Sequence, residues 1–248
     1  MKEIEPTRPP GLDPLAVEIL EQLRAYPEAN DVVLGGHLAL KHYLDYRTTH
    51  DIDAWWAQES TTDSQRLALE RLREIVRSVA ADRRLTFTER VTRSMTSLEM
   101  QRNGKTIFSV QIADRDIELA KPVPGPWHPV RIESLRDNIA SKITALVDRG
   151  APRDFTDIRA VITANIVSID ETWAIWQQRN PRLDVEQAKA QVLKHLESIA
   201  ARRPLETLAP EQRGAVGEAR RWFREELTRD PARKSRGAGE ERGSELDR

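Results

Sequence analysis

The sequence predicts an α+β fold: a mixed sheet with flanking helices, followed by a C-terminal helical domain. Three observations predict it. Between Asp51 and Ala113 short apolar–polar alternations recur, the period of strands with one buried face. From Ser134 onward apolar residues recur instead at helical spacing. Between these regions Lys121-Pro122-Val123-Pro124-Gly125-Pro126-Trp127-His128-Pro129 holds four prolines, each lacking an N–H, so no regular structure is expected there. The expected division is 1–130 for the α/β sheet domain, 131–229 for the helical domain, and 230–248, rich in charge and glycine, for a disordered tail.

Taken in order, Leu15, Ala16, Ile19, Leu20 and Leu23 follow helical spacing, with Asp13 as N-cap and Pro14 in the first turn. Val32 to Leu34 is a short strand, and Leu38, Leu40, Tyr43 and Leu44 mark a short helix. Asp51 to Trp56 is a strand. Beyond the turn-like Thr61 to Ser64, a helix is expected over about 64–82, its arginines coating a solvated face. Leu85 to Val91, Met95 to Gln101 and Lys105 to Ala113 are strands, the last two joined by Asn103-Gly104, a strong hairpin signal. Ser134 opens a capped helix that runs to Gly150, and further helices are expected at 152–164, from near Asp170, at 184–202 and at 210–227.

The chain has 248 residues, enough to bury a proper core. Its 39 Lys and Arg against 40 Asp and Glu give a net charge of -1, so nucleic-acid binding has to come from a local patch. Arg220, Arg221 and Arg224 are diluted by Glu218, Glu225 and Glu226 and read as a solvated helix. The absence of cysteine excludes disulfides, thiolate metal sites and a cysteine nucleophile. The acidic, proline-broken N-terminus does not read as a signal peptide, and no apolar run approaches the ~20 residues a membrane span needs. A cytoplasmic protein with no membrane partner is expected. His37, His42 and His50 lack the compact spacing of a zinc site.

The chemistry concentrates between Val32 and Trp56, which reads as strand, glycine turn, short helix and a strand carrying two carboxylates. Gly35-Gly36 permits close backbone approach, and helix N–H groups aimed at it would favour a phosphate. Asp51 and Asp53 leave the same face of their strand while Ile52 and Ala54 leave the other, so two hard oxygen ligands of the kind Mg²⁺ takes converge. Trp55 and Trp56 face opposite sides, so one belongs to the core and the other is free to stack on a base or cover the site.

The run Leu34-Gly35-Gly36-His37-Leu38-Ala39-Leu40, followed by Tyr46-Arg47-Thr48-Thr49-His50-Asp51-Ile52-Asp53, resembles the first motif of the AbiEii/AbiGii-type nucleotidyltransferases of the DNA polymerase β-like superfamily. A second stretch, Ser141 to Ile158, is similar to that family's downstream Lys, Arg and Arg-Asp-x-x-Asp signature at Lys142, Arg149 and Arg153-Asp154-Phe155-Thr156-Asp157. The resemblance covers about residues 15 to 165. It implies a polymerase β-like nucleotidyltransferase sheet, an NTP substrate, one or two Mg²⁺ ions between Asp51 and Asp53, attack on the α-phosphate and release of pyrophosphate. It also implies nucleotide contacts from Gly35, Gly36, Arg47, Thr48, Thr49, Lys142 and Arg149, and catalytic parts for Lys142 and Asp157. Asp154 either helps hold metal or substrate or caps its helix, and His37 is either an accessory phosphate group or a plain turn residue.

One departure from the family pattern stands out. The third carboxylate of the fold would align with Gln111, whose amide can ligate but cannot act as a general base, leaving deprotonation to water, another group, Asp114 or Asp116. The biology implied by resemblance is the toxin of a toxin–antitoxin or phage-defence pair, with tRNA or another RNA as acceptor and a cognate antitoxin as partner. The alternatives are a catalytically weak nucleotide-binding regulatory module and a nucleotidyltransferase acting on an antibiotic or metabolite.

Overall fold

The computed structural model describes residues 1–115 and 117–228, so Asp116 and the tail expected at 230–248 lie outside the described residues. The chain divides into two compact units, residues 1–142 with 163–166, and residues 143–162 with 167 onward. The first unit is built on a seven-stranded mixed sheet in the order β3-β4-β5-β2-β1-β7-β6. Its strands are β1 (Val32–Leu34), β2 (Asp51–Trp56), β3 (Thr86–Val91), β4 (Met95–Arg102), β5 (Lys105–Ala113), β6 (Val123–Pro124) and β7 (Arg131–Ile132). β2 runs parallel to β5 and β1 parallel to β7, while the remaining pairs are antiparallel.

Strand alternation sorts the sheet into two faces. Ile52, Ala54, Leu98, Met100, Phe108, Val110 and Ile112 are buried on one of them. Helix α3 (Thr62–Asp82) covers the β3–β4 part of that face: Arg73 donates to Glu89 at 2.6 Å, and the Arg77 guanidinium lies 5.0 Å from the centre of the Phe87 ring. Thr61 and Ser64 form the capping box that starts it. Helix α1 (Pro14–Leu23) begins at Asp13, whose side chain accepts from the Leu15 N–H, and buries Ala16, Ile19, Leu20 and Leu23. The β4–β5 turn places both Asn103 (φ 52) and Gly104 (φ 73) in the left-handed region, as a two-residue hairpin turn of the right twist requires.

The proline stretch is more ordered than the sequence implies. Val123–Pro124 forms β6, and because β6 is the outermost strand and pairs only with β7, the missing proline N–H costs the ladder nothing on its open side. β7 pairs in turn with β1, so the first unit extends past residue 130 and closes inside helix α4 (Leu135–Asp148), after Lys142.

Beneath this end of the sheet, buried His42 makes two hydrogen bonds: its Nδ1–H donates to the Leu38 carbonyl at 2.7 Å, and its Nε2 accepts from the Trp127 indole at 2.7 Å. Burial, the dominant cause, pushes its pKa down to about 4 from an ordinary 6.5. As pH falls through that window the unfolded chain takes up the proton first, so the contribution is complete above 6.5 and is lost toward 4. Full loss corresponds to about 3 kcal/mol. Melting followed from pH 7 to 4 is expected to show this acid loss in the wild type and a flatter profile in His42→Gln.

The second unit is helical: the end of α4, α5 (Pro152–Thr163), α6 (Ile169–Arg179), α7 (Val185–Arg202) and α8 (Pro210–Trp222). Ser168 and Glu171 form a capping box at the start of α6, and Asp184 caps α7. α8 gives way to a π-helical turn over Phe223–Leu227, which buries Phe223 against Phe155 at 4.8 Å between ring centres and sets the Leu227 carbonyl to accept from the Trp173 indole at 2.8 Å. Among the described residues no helix is long and apolar enough to cross a membrane.

Candidate active site

The polar face of the sheet centres on β2. The β2–β5 register sets Asp51 beside Ser109 and Asp53 beside Gln111, and the β4–β5 register continues these rows to Glu99 and Ser97. Asp51 and Asp53 are both half-buried on this face, as the sequence predicts, and Gln111 lies directly beside Asp53. Glu99 is engaged within the sheet. It accepts from Thr106 at 2.8 Å, Gln101 at 3.2 Å and Ser97 at 3.3 Å, and these bonds, the Thr106 one first, hold its carboxyl below the usual range.

The glycine turn meets the carboxylate strand directly. β1 ends at Leu34, and α2 (Gly36–Lys41) starts immediately after Gly35, whose N–H donates to the Asp53 carbonyl at 2.8 Å. Gly36 has φ +59, and a Cβ placed on it would lie 2.1 Å from Asp53 Oδ2. A Cβ on Gly35 would lie 2.1 Å from Trp55 Nε1. Both glycines are therefore required by side chains of β2, a steric demand that the sequence, read for phosphate binding, does not reveal. Trp55 shares the face of Asp51 and Asp53 and Trp56 leaves the other, while the Trp55 Nε1 is buried without a hydrogen-bond partner.

A buried ionic network props this turn from behind. Arg115 Nη2 lies 2.8 Å from both Glu133 and Asp137, and all three side chains are at most 4% exposed. Asp137 also accepts from the backbone N–H groups of Leu119 and Ala120 and from Ser134, and Glu133 accepts from Asn138 and Ser141. Asn138 Nδ2 donates to the Gly36 carbonyl at 2.8 Å, which links the network to the turn. Burial pushes the Glu133 carboxyl up, partly countered by the Arg115 charge. These residues escape sequence reasoning because Glu133, Asp137 and Asn138 look like the polar start of a capped helix, and their partner Arg115 is distant in sequence.

The segment before β2 is anchored on α2. The ring of His37, buried at 3% exposure, accepts from the Tyr46 hydroxyl at Nδ1 (3.2 Å) and donates from Nε2 to the Arg47 carbonyl (3.3 Å). These contacts tie His37 to the segment before β2. Arg47 Nη1 donates to the Thr48 carbonyl at 3.3 Å, and the buried Thr49 hydroxyl donates to Asp51 Oδ1. Thr48 is exposed, and Lys142, on α4, is half-buried.

The remaining sequence-derived residues belong to the helical unit. Arg149 and Asp154 form a two-pronged ion pair at 2.9 Å for each bond, and Asp154 also accepts from the Ala151 N–H at 3.0 Å, which is the helix-start role that stood as its alternative. Asp157 is fully buried, one turn further along α5.

Asp51 and Asp53 suit a divalent cation by donor chemistry. Both present hard carboxylate oxygens on one face of one strand, and the missing Cβ of Gly36 leaves the space that Asp53 Oδ2 occupies. Among the described residues no group of three or more His, Asp or Glu side chains gathers at metal-holding geometry.

A family model described as nucleotidyl transferase AbiEii toxin, type IV TA system, matches residues 18–229. Among solved structures, an inferred nucleotidyltransferase from H. pylori is similar over 86% of this chain and 93% of its own, at 16% identity and a TM-score of 0.45. The Megavirus polyadenylate synthase is similar over 89% of this chain at 12% identity and a TM-score of 0.39, and the match spans 51% of that longer chain. No curated protein matches the chain.

Proposed function

Because the chain belongs to the nucleotidyl transferase AbiEii toxin family, we propose that it transfers a nucleotide from an NTP to an acceptor hydroxyl, with Mg²⁺ held by Asp51 and Asp53. The observation that carries this reading is the fit between Gly36 and Asp53, which fixes one carboxylate against the glycine turn where a triphosphate would lie. The acceptor oxygen forms a bond to the α-phosphorus, the bond to the bridging oxygen breaks, and pyrophosphate leaves. A bound divalent ion supplies charge neutralisation for the phosphate oxygens. The chain's own part is positional. Gly35 and Gly36 seat Trp55 and Asp53 against the turn beside the phosphates, Arg47, Thr48 and Lys142 contact the phosphates, and Thr49 orients Asp51 through its hydroxyl. The hydroxyl proton passes to water or to Asp114, which is exposed just beyond β5.

The favoured acceptor is RNA, tRNA foremost, and the favoured setting is a toxin–antitoxin or phage-defence pair with a cognate antitoxin. Incubation with each radiolabelled NTP, Mg²⁺ and total RNA tests this: label is expected on RNA, whereas label on a small metabolite alone would move the acceptor class.

Gln111 beside Asp53 favours a second reading, a catalytically weak nucleotide-binding module. The two readings separate on Gln111→Asp, which adds a negative oxygen next to Asp53. Under the transfer reading the Mg²⁺ concentration for half-maximal turnover is expected to fall about tenfold. No gain in Gln111→Asp, together with lost turnover in Asp114→Ala, would place the third group at Asp114 instead.

A further inference from the structure

Lys41 takes no part in any motif of the sequence, yet it is only 3% exposed at the end of α2. Its Nζ pairs with the Asp45 carboxylate and donates to the Arg47 carbonyl at 3.2 Å. His37, one helical turn earlier on the same face, bonds that same carbonyl oxygen and takes the Tyr46 hydroxyl. Two buried side chains thus grip three consecutive residues: Asp45 by its carboxylate, Tyr46 by its hydroxyl and Arg47 by its backbone. The next two residues are the exposed Thr48 and the buried Thr49, whose hydroxyl reaches Asp51. At its other end the same short helix begins at Gly36, seated against Asp53.

We propose that Lys41, assisted by His37, is a positioning residue: it locks the Asp45–Arg47 segment to α2 so that Arg47 and Thr48 are held at the nucleotide while Thr49 is held at Asp51. A buried ammonium is costly unless it is paired and hydrogen-bonded, and a methionine or leucine would fill this place without that cost. Lys41 spends both of its bonds on this one loop. α2 then acts as a rigid spacer, fixed to Asp53 at Gly36 and to the loop at Lys41, so the distance from carboxylates to loop is set before substrate arrives. The proposal rests on the reading that this loop contacts an NTP, and the experiment separates the two.

Full-length wild type, Lys41→Met, Lys41→Arg and Asp45→Asn are compared after circular dichroism and melting show that each is folded. In Lys41→Met the KM for NTP is expected to rise about tenfold while kcat stays within about threefold. Trypsin is expected to cut the Arg47–Thr48 bond about tenfold faster in that variant, with NTP and Mg²⁺ protecting the bond in wild type and not in Lys41→Met. Lys41→Arg is expected to restore both readouts, which a purely packing role would not require. Unchanged cutting overturns the proposal, and so does faster cutting with an unchanged KM. Should wild type turn over no NTP, protection of Arg47–Thr48 by NTP in wild type and its loss in Lys41→Met uphold the clamp while the transfer reading falls, and absence of protection overturns the clamp as well. Should Lys41→Met fail to fold, Asp45→Asn, altered at a side chain that is 32% exposed, carries the same comparison.

Discussion

Asp53→Ala is expected to lower Mg²⁺-dependent NTP turnover by about a thousandfold, the scale of about 4 kcal/mol of lost transition-state stabilisation. Asp51→Ala should fall nearly as far, because Thr49 then loses the oxygen it orients. Neither side chain is in the core, so melting should shift by no more than a few degrees, and removing one of two neighbouring carboxylates can even raise it. The measurement is initial-rate NTP turnover against Mg²⁺ concentration, paired with a melting curve. Wild-type turnover in both variants would falsify the assignment of the site.

Gly36→Ala is expected to be about as damaging to turnover although it touches no ionisable group. The backbone there is left-handed at φ +59, which costs a residue with a Cβ about 1–2 kcal/mol. The larger effect is steric, since the new methyl would fall 2.1 Å from Asp53 Oδ2 and must drive that carboxylate away. Turnover should drop at least about a hundredfold with a stability loss of about 1–3 kcal/mol. Gly11→Ala is the matching control. Gly11 has φ +66 and no atom within 4 Å of a built Cβ, so it should show the backbone cost with turnover unchanged. Equal turnover in the two alanine variants would mean that the Gly36–Asp53 contact has no part in the chemistry.

The site was legible in sequence to the extent that its parts are local. Asp51 and Asp53 share a face because strands repeat every two residues, and the Asn103-Gly104 turn fixes where β4 and β5 face each other. The placement of Gln111 beside Asp53 follows from the parallel β2–β5 pairing, a long-range register that the resemblance implies and that spacing alone does not contain. Lys41 was illegible for a different reason. At the end of an amphipathic helix a lysine reads as the solvated end, and only the return of the chain at Asp45 to Arg47 buries it. The Arg115, Glu133 and Asp137 network joins residues about twenty apart in sequence, and an ion pair has no periodicity to betray it. The proline stretch misled because proline excludes interior strands and tolerates edges, and composition does not say which strand is outermost.

The pairing of β2 with β5 also determines which kinds of genetic change the chain can survive. Because strand side chains alternate faces, a single-residue deletion or insertion that slips the whole of 51–56 by one place against β5 would send Asp51 and Asp53 into the apolar layer and turn Ile52 and Ala54 out toward solvent. Two buried unpaired carboxylates cannot be absorbed by a core of this size, so such a lesion destroys folding and chemistry in one step. A change of the same length in the connection 57–61 leaves every register pair in place. Length variation in this lineage should therefore collect between the strands and helices of the sheet unit, while β2 and β5 admit substitution but never a shift of frame along their pleat.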